Sequence, residues 1–408
     1  MTRLLQNSNK GTVMSKLEEL IQKYCPDGVE WKPLSELGDF YSGLTGKTKE
    51  DFRDGNAKFI TYVNIFNNPS LKTDVEEKVK IALGEKQNTV QYGDALFTGS
   101  SETPDECGMC SVLTHQTDEK LYLNSFCFGF RFFDLSDKCP SFMKHLFRST
   151  SIRKAICRTA NGVTRFNVSK KEFAKIEIPI PPLPVQEEIV RVLDTFTELQ
   201  AELQAELQKR LQQYNYYRDN LLSFDGRTDV EWKKLGEMCS VLRGKRLTKS
   251  QLSPDGRYKV FHGGIEPIGY YGECNREANT TMVINVGASA GTIGFSKDMF
   301  WSSDGCFCLS QTPLLSSRYL YYYLQTKEPY LMSRVRRAGI PTLDGKVLED
   351  LLIPTPTLEE QQKIVDILDR FDALTTDLTA GLPAEIEKRR QQYEFYRDKL
   401  LTFNRKEA

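Results

Sequence analysis

Gln212-Gln213-Tyr214-Asn215-Tyr216-Tyr217-Arg218-Asp219 returns 179 residues later as Gln391-Gln392-Tyr393-Glu394-Phe395-Tyr396-Arg397-Asp398. Each copy then runs on, into Leu221-Leu222-Ser223-Phe224 or Leu400-Leu401-Thr402-Phe403. A match of this length marks an internal duplication, and it can be followed outward through the chain. Upstream, Gln186-Glu187-Glu188-Ile189-Val190 through Leu193-Asp194 to Phe196 answers Gln361-Gln362-Lys363-Ile364-Val365 through Leu368-Asp369 to Phe371, and Ile178-Pro179 answers Ile353-Pro354, all at an offset of 175. At the front of each copy Val29-Glu30-Trp31-Lys32 matches Val230-Glu231-Trp232-Lys233, an offset of 201, and leads to a glycine turn, Ser42-Gly43 or Arg243-Gly244. The drift in offset makes the first globular part 26 residues longer and the second helical part 4 residues longer. Helical parts stay alike while globular parts diverge, the pattern of one scaffold used twice to carry two different heads.

Between Gln186 and Phe224 apolar residues fall at 189, 192, 196, 199, 203, 207, 211, 214, 217 and 221, the steps of three and four that define a helix stripe. The pattern recurs from Glu359 to Phe403. Each helix follows a proline-rich strand end, Pro179-Ile180-Pro181-Pro182-Leu183-Pro184 or Pro354-Thr355-Pro356, where proline closes one element and permits the next. Thirty-nine helical residues reach about 58 Å. One stripe of that length cannot be buried alone, so the two helices are expected to pair as an antiparallel coiled coil, with dimerisation between chains as the alternative. Gly381-Leu382-Pro383 is expected to kink or interrupt the second helix. Inside the first lies a four-residue repeat, Thr197-Glu198-Leu199-Gln200, Ala201-Glu202-Leu203-Gln204, Ala205-Glu206-Leu207-Gln208. It reads either as good helix-forming composition or as a spacer. One unit adds about 6 Å and turns the helix about 40° beyond a full turn, close to the about 34–36° between DNA base pairs.

The 408 residues have room for about two to three domains. No run approaches the roughly 20 apolar residues of a membrane span. The first 13 residues read as a leader or an upstream start, because Met14 opens a cleaner helix (Lys16–Tyr24), expected to pack beside the C-terminal helix. Ten cysteines without scaffold spacing indicate reduced thiols, as in a cytoplasmic protein. Strand-rich segments at Phe59–Ile65, Ala95–Phe97, Phe126–Phe133, Val260–Phe261, Met282–Val286 and Phe307–Leu309 make each globular part mixed α/β. Tyr319, Tyr321, Tyr322 and Tyr323 read as core on a short helix rather than as a base-stacking platform.

Catalytic readings find little support. Asn68-Pro69-Ser70 is not an adenine-methyltransferase tetrapeptide, and Gly287-Ala288-Ser289-Ala290-Gly291-Thr292-Ile293-Gly294 has the spacing of a strand-turn-strand rather than of a dinucleotide loop. A nuclease reading could use Pro104-Asp105 and Asp118-Glu119-Lys120, but these have no counterpart in the second half. A zinc reading could use Cys107, Cys110 and His115, one ligand short of a structural site. Three histidines form no acid–base constellation.

Taken together, the proline-ended strands leading into PLPVQEEIVRVLD and PTLEEQQKIVDILD, and the endings QQYNYYRDNLLSF and QQYEFYRDKLLTF, resemble the specificity (S) subunits of type I restriction-modification systems. The resemblance runs from about Ser15 almost to the end. Asn161-Gly162-Val163-Thr164-Arg165-Phe166-Asn167-Val168 looks like that family's glycine-hydroxyl loop, while Arg336-Arg337-Ala338-Gly339-Ile340-Pro341-Thr342-Leu343 departs from it. The repeat and the C-terminal ending look most like the IC branch. The resemblance implies two target-recognition domains separated by two long antiparallel coiled-coil helices in a pseudo-twofold circular arrangement. Residues 1–24 would be the leader and short helix, 25–184 the first recognition domain, 185–224 the central helix, 225–356 the second domain and 357–408 the C-terminal helix. Each domain would read one half of a split double-stranded DNA target, while the helices set the gap and dock two modification (M) subunits. Those methylate adenine with S-adenosylmethionine. Restriction (R) subunits, joining through the core of one S and two M subunits, cut with ATP and magnesium. The S subunit itself carries no reaction and needs no cofactor or metal. The alternatives are a coiled-coil DNA-binding scaffold or a DNA endonuclease unrelated to type I systems.

The formal charge is zero, 55 basic against 55 acidic residues, so a nucleic-acid partner must be sought in local clusters. Arg153, Lys154, Arg158, Arg165, Lys170, Lys171 and Lys175 face only Glu172 between Ile152 and Ile176. Arg243, Lys245, Arg246 and Lys249 form a second run, and Arg334, Arg336 and Arg337 a third. Thr45, Lys47 and Lys49 follow the first glycine turn as the basic run follows the second. Phosphates need such cations, and base edges need Arg, Lys, Asn or Gln. The candidate DNA contacts are therefore Thr45, Lys47, Lys49, Arg158, Asn161, Thr164, Arg165, Lys170, Lys171, Arg243, Lys245, Arg246, Lys249, Arg334, Arg336 and Arg337.

Overall fold

The computed structural model describes residues 9–376 and 380–407. It has two compact units: unit 1 runs to Glu202 and resumes at Glu387, and unit 2 is Leu203–Ile386. The boundary falls inside one continuous helix, Leu183–Leu221.

Both units are mixed α/β and share one sheet topology. In unit 1 a four-stranded antiparallel sheet has the order Gly38–Ser42, Cys127–Phe132, Ala95–Thr98, Cys110–Val112. In unit 2 the order is Val241–Arg243, Cys306–Leu309, Thr280–Ile284, Ile293–Ser296. Beside it, Ala57–Ile60 pairs antiparallel with Lys78–Val79 and parallel with Tyr122–Leu123. Tyr258–Phe261 does the same with Gly269–Tyr271 and Phe300–Ser302. Central strands such as Ala95–Thr98 and Cys306–Leu309 are buried along their whole length, which is why they read as apolar runs without alternation. A two-stranded ladder closes each unit, Trp31–Pro33 with Glu177–Pro179 and Glu231–Lys234 with Leu352–Thr355. Its register pairs Lys32 with Ile178 and Lys233 with Ile353, so the blocks repeating at offsets 201 and 175 are bonded partners. The glycine turns are likewise explained. A Cβ on Gly43 would sit 2.0 Å from the Asn124 carbonyl oxygen, and one on Gly244 2.0 Å from that of Ser303.

The duplicated helix motif fastens each unit to its helices. Gln186 is fully buried: its carbonyl accepts from the Cys139 amide at 2.8 Å, and its amide donates to the Asp137 and Pro181 carbonyls. Gln361 repeats this with the Ser316 amide and the Leu314 and Pro356 carbonyls. Asp194 takes His145 at 2.8 Å and Lys144 at 2.7 Å from the helix Pro140–Leu146. Asp369 takes Arg318 at 2.7 Å and the Tyr322 hydroxyl at 2.5 Å from the helix Ser317–Ser333. Within unit 1 Phe196 stacks on Tyr396, ring centroids 5.2 Å apart; within unit 2 Tyr217 stacks on Phe371 at 5.4 Å. The early part of the central helix thus meets the late part of the C-terminal segment and the late part meets the early one, the antiparallel sense expected from the stripes.

Some boundaries differ from the sequence expectation. The central helix starts three residues before Gln186 and stops at Leu221, because Pro184 in a first turn needs no amide hydrogen bond. The stretch Glu359–Phe403 is two helices, Leu358–Thr375 and Leu382–Leu400, interrupted ahead of Pro383; residues 377–379 lie outside those described. The N-terminal helix begins at Asn9, inside the expected leader, whose residues 1–8 also lie outside them. Leu17 shares a core with Val185, Ile189, Leu400 and Leu401, and Lys16 pairs with the buried Glu188 at 2.8 Å. The chain's end returns here, the Val29 amide donating to the Asn404 carbonyl at 2.9 Å and Lys406 to that of Val29 at 3.0 Å. The strand expected over Phe59–Ile65 ends at Ile60. Thr61 then caps the helix Tyr62–Asn67, its hydroxyl accepting from the Asn64 amide. Tyr319, Tyr322 and Tyr323 are fully buried.

Candidate nucleic-acid interface

The sheet topology brings together loops far apart in sequence. In unit 1, Asn167 pairs with both Asn161 and Ser100, building a hairpin whose turn is residues 162–166. In unit 2, Thr342 pairs with both Arg336 and Val286, and the turn is residues 337–341. The two hairpins have equal length and stand 175 residues apart, so the segment that departs in sequence keeps the backbone pairing. Sequence reading missed this because the glycines moved. Gly162 has φ 147°, and a Cβ there would meet the Arg165 carbonyl oxygen at 2.0 Å; the second hairpin places Gly339 at its centre, φ 81°.

Each hairpin is tied to its sheet end. Arg165 donates from Nε and Nη2 to the Ser100 hydroxyl at 3.1 and 3.0 Å and lies 5.7 Å over the Phe126 ring. The Tyr62 hydroxyl donates to the Ser100 carbonyl at 2.9 Å. In unit 2 the Gly287 amide donates to the Pro341 carbonyl at 2.9 Å and that of Leu343 to Asn285 at 2.8 Å. The glycine turns reach the same end: Gly43 donates to Cys127 and Gly244 to Cys306.

In unit 1 the hairpin turn, the segment after Thr98, Phe126 and the helix Tyr62–Asn67 line an open cleft of about 720 Å³. The helix Tyr62–Asn67 lines it with Tyr62, Val63, Phe66 and Asn67, and Phe126, Glu102, Glu106, Thr164 and Arg165 complete the lining. Glu106 accepts from the Ser101 and Thr103 hydroxyls. The exposed Phe126 ring and the half-buried Tyr62 and Phe66 rings, beside donors and acceptors, suit stacking on bases and hydrogen bonding to their edges. Sequence reading missed this helix by extending a strand through it. The signal was Thr61 at a cap position and Asn67-Asn68-Pro69 as a stop.

The candidate cations occupy several places. Thr164 and Arg165 line the cleft; Asn161 is at the hairpin stem; Lys170 and Lys171 follow it in the turn of helix Lys170–Phe173, Lys170 5.3 Å over Phe128. Arg158 lies elsewhere, in a basic cleft of about 480 Å³ with Arg148, Arg153, Lys154 and Arg397. There Arg148 and Arg153 donate to backbone carbonyls of Cys110, Ile65, Phe66, Asp105, Cys107 and Gly108. Thr45 is fastened to Gln87, and Lys49 is exposed at the start of a short turn. Lys47 points inward, its side chain 7 % exposed, onto Glu85 at 2.6 Å. Hydrogen bonds from Lys47, the Ala82 amide and Gln87 hold the Glu85 carboxyl down at about 2. Arg243, Lys245, Arg246 and Lys249 are exposed beyond the second glycine turn, where the Lys245 carbonyl accepts from Trp301 at 2.9 Å. Arg336 and Arg337 are exposed on the second hairpin, whereas Arg334 caps the helix Ser317–Ser333, 5.0 Å over Tyr330. Cys107 and Cys110 are buried thiols whose pKa values burial raises, and His115 meets the Thr73 hydroxyl at 3.0 Å.

A duplicated α/β head with loops gathered at one sheet end, mounted twice on paired helices, defines a class of two-headed recognition proteins. The family model described as type I restriction modification DNA specificity domain matches residues 26–213 and again 228–388, and the chain belongs to that family. It is 30 % identical over 400 residues to a putative type I restriction enzyme specificity subunit of Haemophilus influenzae, covering 92 % of this chain and 96 % of that one. It is 35 % identical over 274 residues to the EcoR124I/EcoR124II specificity subunit of Escherichia coli, covering 59 % of this chain and 66 % of the relative. The fold is that of the type I S subunit from M. genitalium, with TM-score 0.57 at 19 % identity over 92 % of this chain and 96 % of the other.

Proposed function

We propose that this chain is the DNA-reading subunit of a type I restriction-modification assembly, in which each unit's loop end reads one half of a bipartite target. The observation that carries this is the paired hairpin and glycine turn, assembled twice on one topology within a chain of that family. The recognition domains are assigned to 25–184 and 225–356. The helices 185–224 and 357–408 set the gap and dock two M subunits, through which R subunits join. Methylation and cleavage belong to those partners, in the cytoplasm; among the described residues no helix is long and apolar enough to cross a membrane.

The exposed cations Lys49, Arg158, Arg165, Lys170, Lys171, Arg243, Lys245, Arg246, Lys249, Arg334, Arg336 and Arg337 would meet phosphates or base edges, with Thr45, Asn161 and Thr164 as polar contacts. Lys47, sealed on Glu85, would support its loop. The test removes Arg165, Lys170 and Lys171 together, and separately Arg243, Lys245 and Arg246, in the assembled complex. Each phosphate deprived of its cation should lower the slope of log affinity against log salt by about 0.9. Specific affinity and salt slope unchanged in both sets would remove these loops from the interface.

A further inference from the structure

Each hairpin carries a bulky aliphatic side chain at its turn with nothing packed over it. Val163 is 90 % exposed and Ile340 70 %, exceeded only by Leu83 among the large apolar side chains described. They occupy mirrored places, second and fourth in turns of five, and each turn also carries arginine, Arg165 in one and Arg337 in the other. A scattered apolar residue on a surface needs no explanation. Two, each in the turn of a hairpin held to the sheet by backbone pairing and sharing that turn with an arginine, form a pattern. The pairing anchors the stem of the hairpin, the arginine favours a polyanion, and the aliphatic group favours a site away from water. The major groove of a DNA duplex meets all three conditions. It admits a two-stranded ribbon, its rims are phosphate, and the apolar group on its floor is the thymine 5-methyl.

We propose that Val163 and Ile340 are specificity-determining residues, each packing against a thymine 5-methyl group in the major groove of its own half-target. The inference rests on the DNA-reading function above and adds to it which side chains touch bases and what chemistry they select. Arg165 and Arg337, two and three residues away in the same turns, would then meet a guanine edge or a phosphate.

The test crosses protein variants with base analogues in the complete assembly with its M subunits. The duplexes carry the wild-type target with each thymine replaced in turn by deoxyuridine, which lacks only the methyl. Wild type should bind one such duplex per half-target about fourfold more weakly, the worth of one buried methyl. Val163→Ser should erase that sensitivity in one half and Ile340→Ser in the other, with salt slope and affinity for unrelated DNA unchanged. Both side chains are exposed, so the variants should fold, and an unchanged melting temperature verifies it. Wild type indifferent to deoxyuridine at every position overturns the inference, as does a sensitivity that survives both serine variants. An assembly that selects no sequence at all would instead overturn the DNA-reading function.

Discussion

Arg318→Met should destabilise unit 2 by about 2–3 kcal/mol. Arg318 links the helix Ser317–Ser333 electrostatically to the helix Leu358–Thr375: it meets Asp369 and Asp372 at 2.7 Å each. It also packs 4.6–4.8 Å from the rings of Phe295, Tyr321 and Tyr322. Methionine keeps most of the apolar stem but leaves two carboxylates without their cation. Removing one partner of a fully buried ion pair costs about 3–5 kcal/mol. Here Arg318 is 14 % exposed, but Asp372 is 22 % and Asp369 45 %, so water recovers part of that cost. The lower range follows. For a unit of this size it corresponds to a melting shift of about 5–10 °C. Urea unfolding of the chain, with hydrogen exchange to locate the loss, is the assay. Asp369→Asn should cost at least about 1 kcal/mol less when added to Arg318→Met than when made in wild type. A loss under about 0.5 kcal/mol, or strictly additive effects, would refute the reasoning.

Deleting Ala201-Glu202-Leu203-Gln204 should shorten the preferred gap between half-targets by about one base pair, since helix phase then stays nearly matched to the duplex; methylated sites in host DNA report it, and an unchanged gap removes the spacer reading. Unit 1 should lose stability as pH falls below about 6.5. Burial, working against the Asp194 hydrogen bond, holds the His145 pKa below its ordinary 6.5, so the unfolded chain takes up the proton first as pH drops. Asp194 acts in the same sense at lower pH: burial raises its pKa, but hydrogen bonds from His145 and Lys144 outweigh that and leave it lowered, so its contribution fades as it protonates. Denaturation midpoints between pH 7.5 and 5.5 should fall in wild type and fall less in His145→Gln, whereas equal slopes would remove His145 from the account.

Most of the architecture was legible because the helical motif is under the same physical demand twice. Gln186 and Gln361 each satisfy buried loop amides and carbonyls, and Asp194 and Asp369 each anchor a head helix, so few residue types fit those positions. Proline and glycine marked the breaks correctly at Gly43, at Gly244 and ahead of Pro383. What the sequence hid were features set by tertiary pairing. Phe59–Ile65 has the composition of a strand throughout, yet Thr61 captures the Asn64 amide and starts a helix, and that helix lines the cleft. Lys47 counts as one more cation in the sequence, but only the fold reveals that its neighbours are Glu85 and the Lys80 carbonyl. The second hairpin lacks the glycine-hydroxyl signature because its reversal is made by Gly339 instead of Gly162, a choice visible only in the backbone.

The central claim is that two independent readers act through one chain, and methylated adenines mapped across host DNA with this chain and its M subunits test it most directly. Modified sites should share two short specified runs divided by a fixed unspecified gap, and exchanging residues 225–356 for those of another family member should change one run and leave the other. A single uninterrupted motif, or an exchange that alters both runs together, would contradict it.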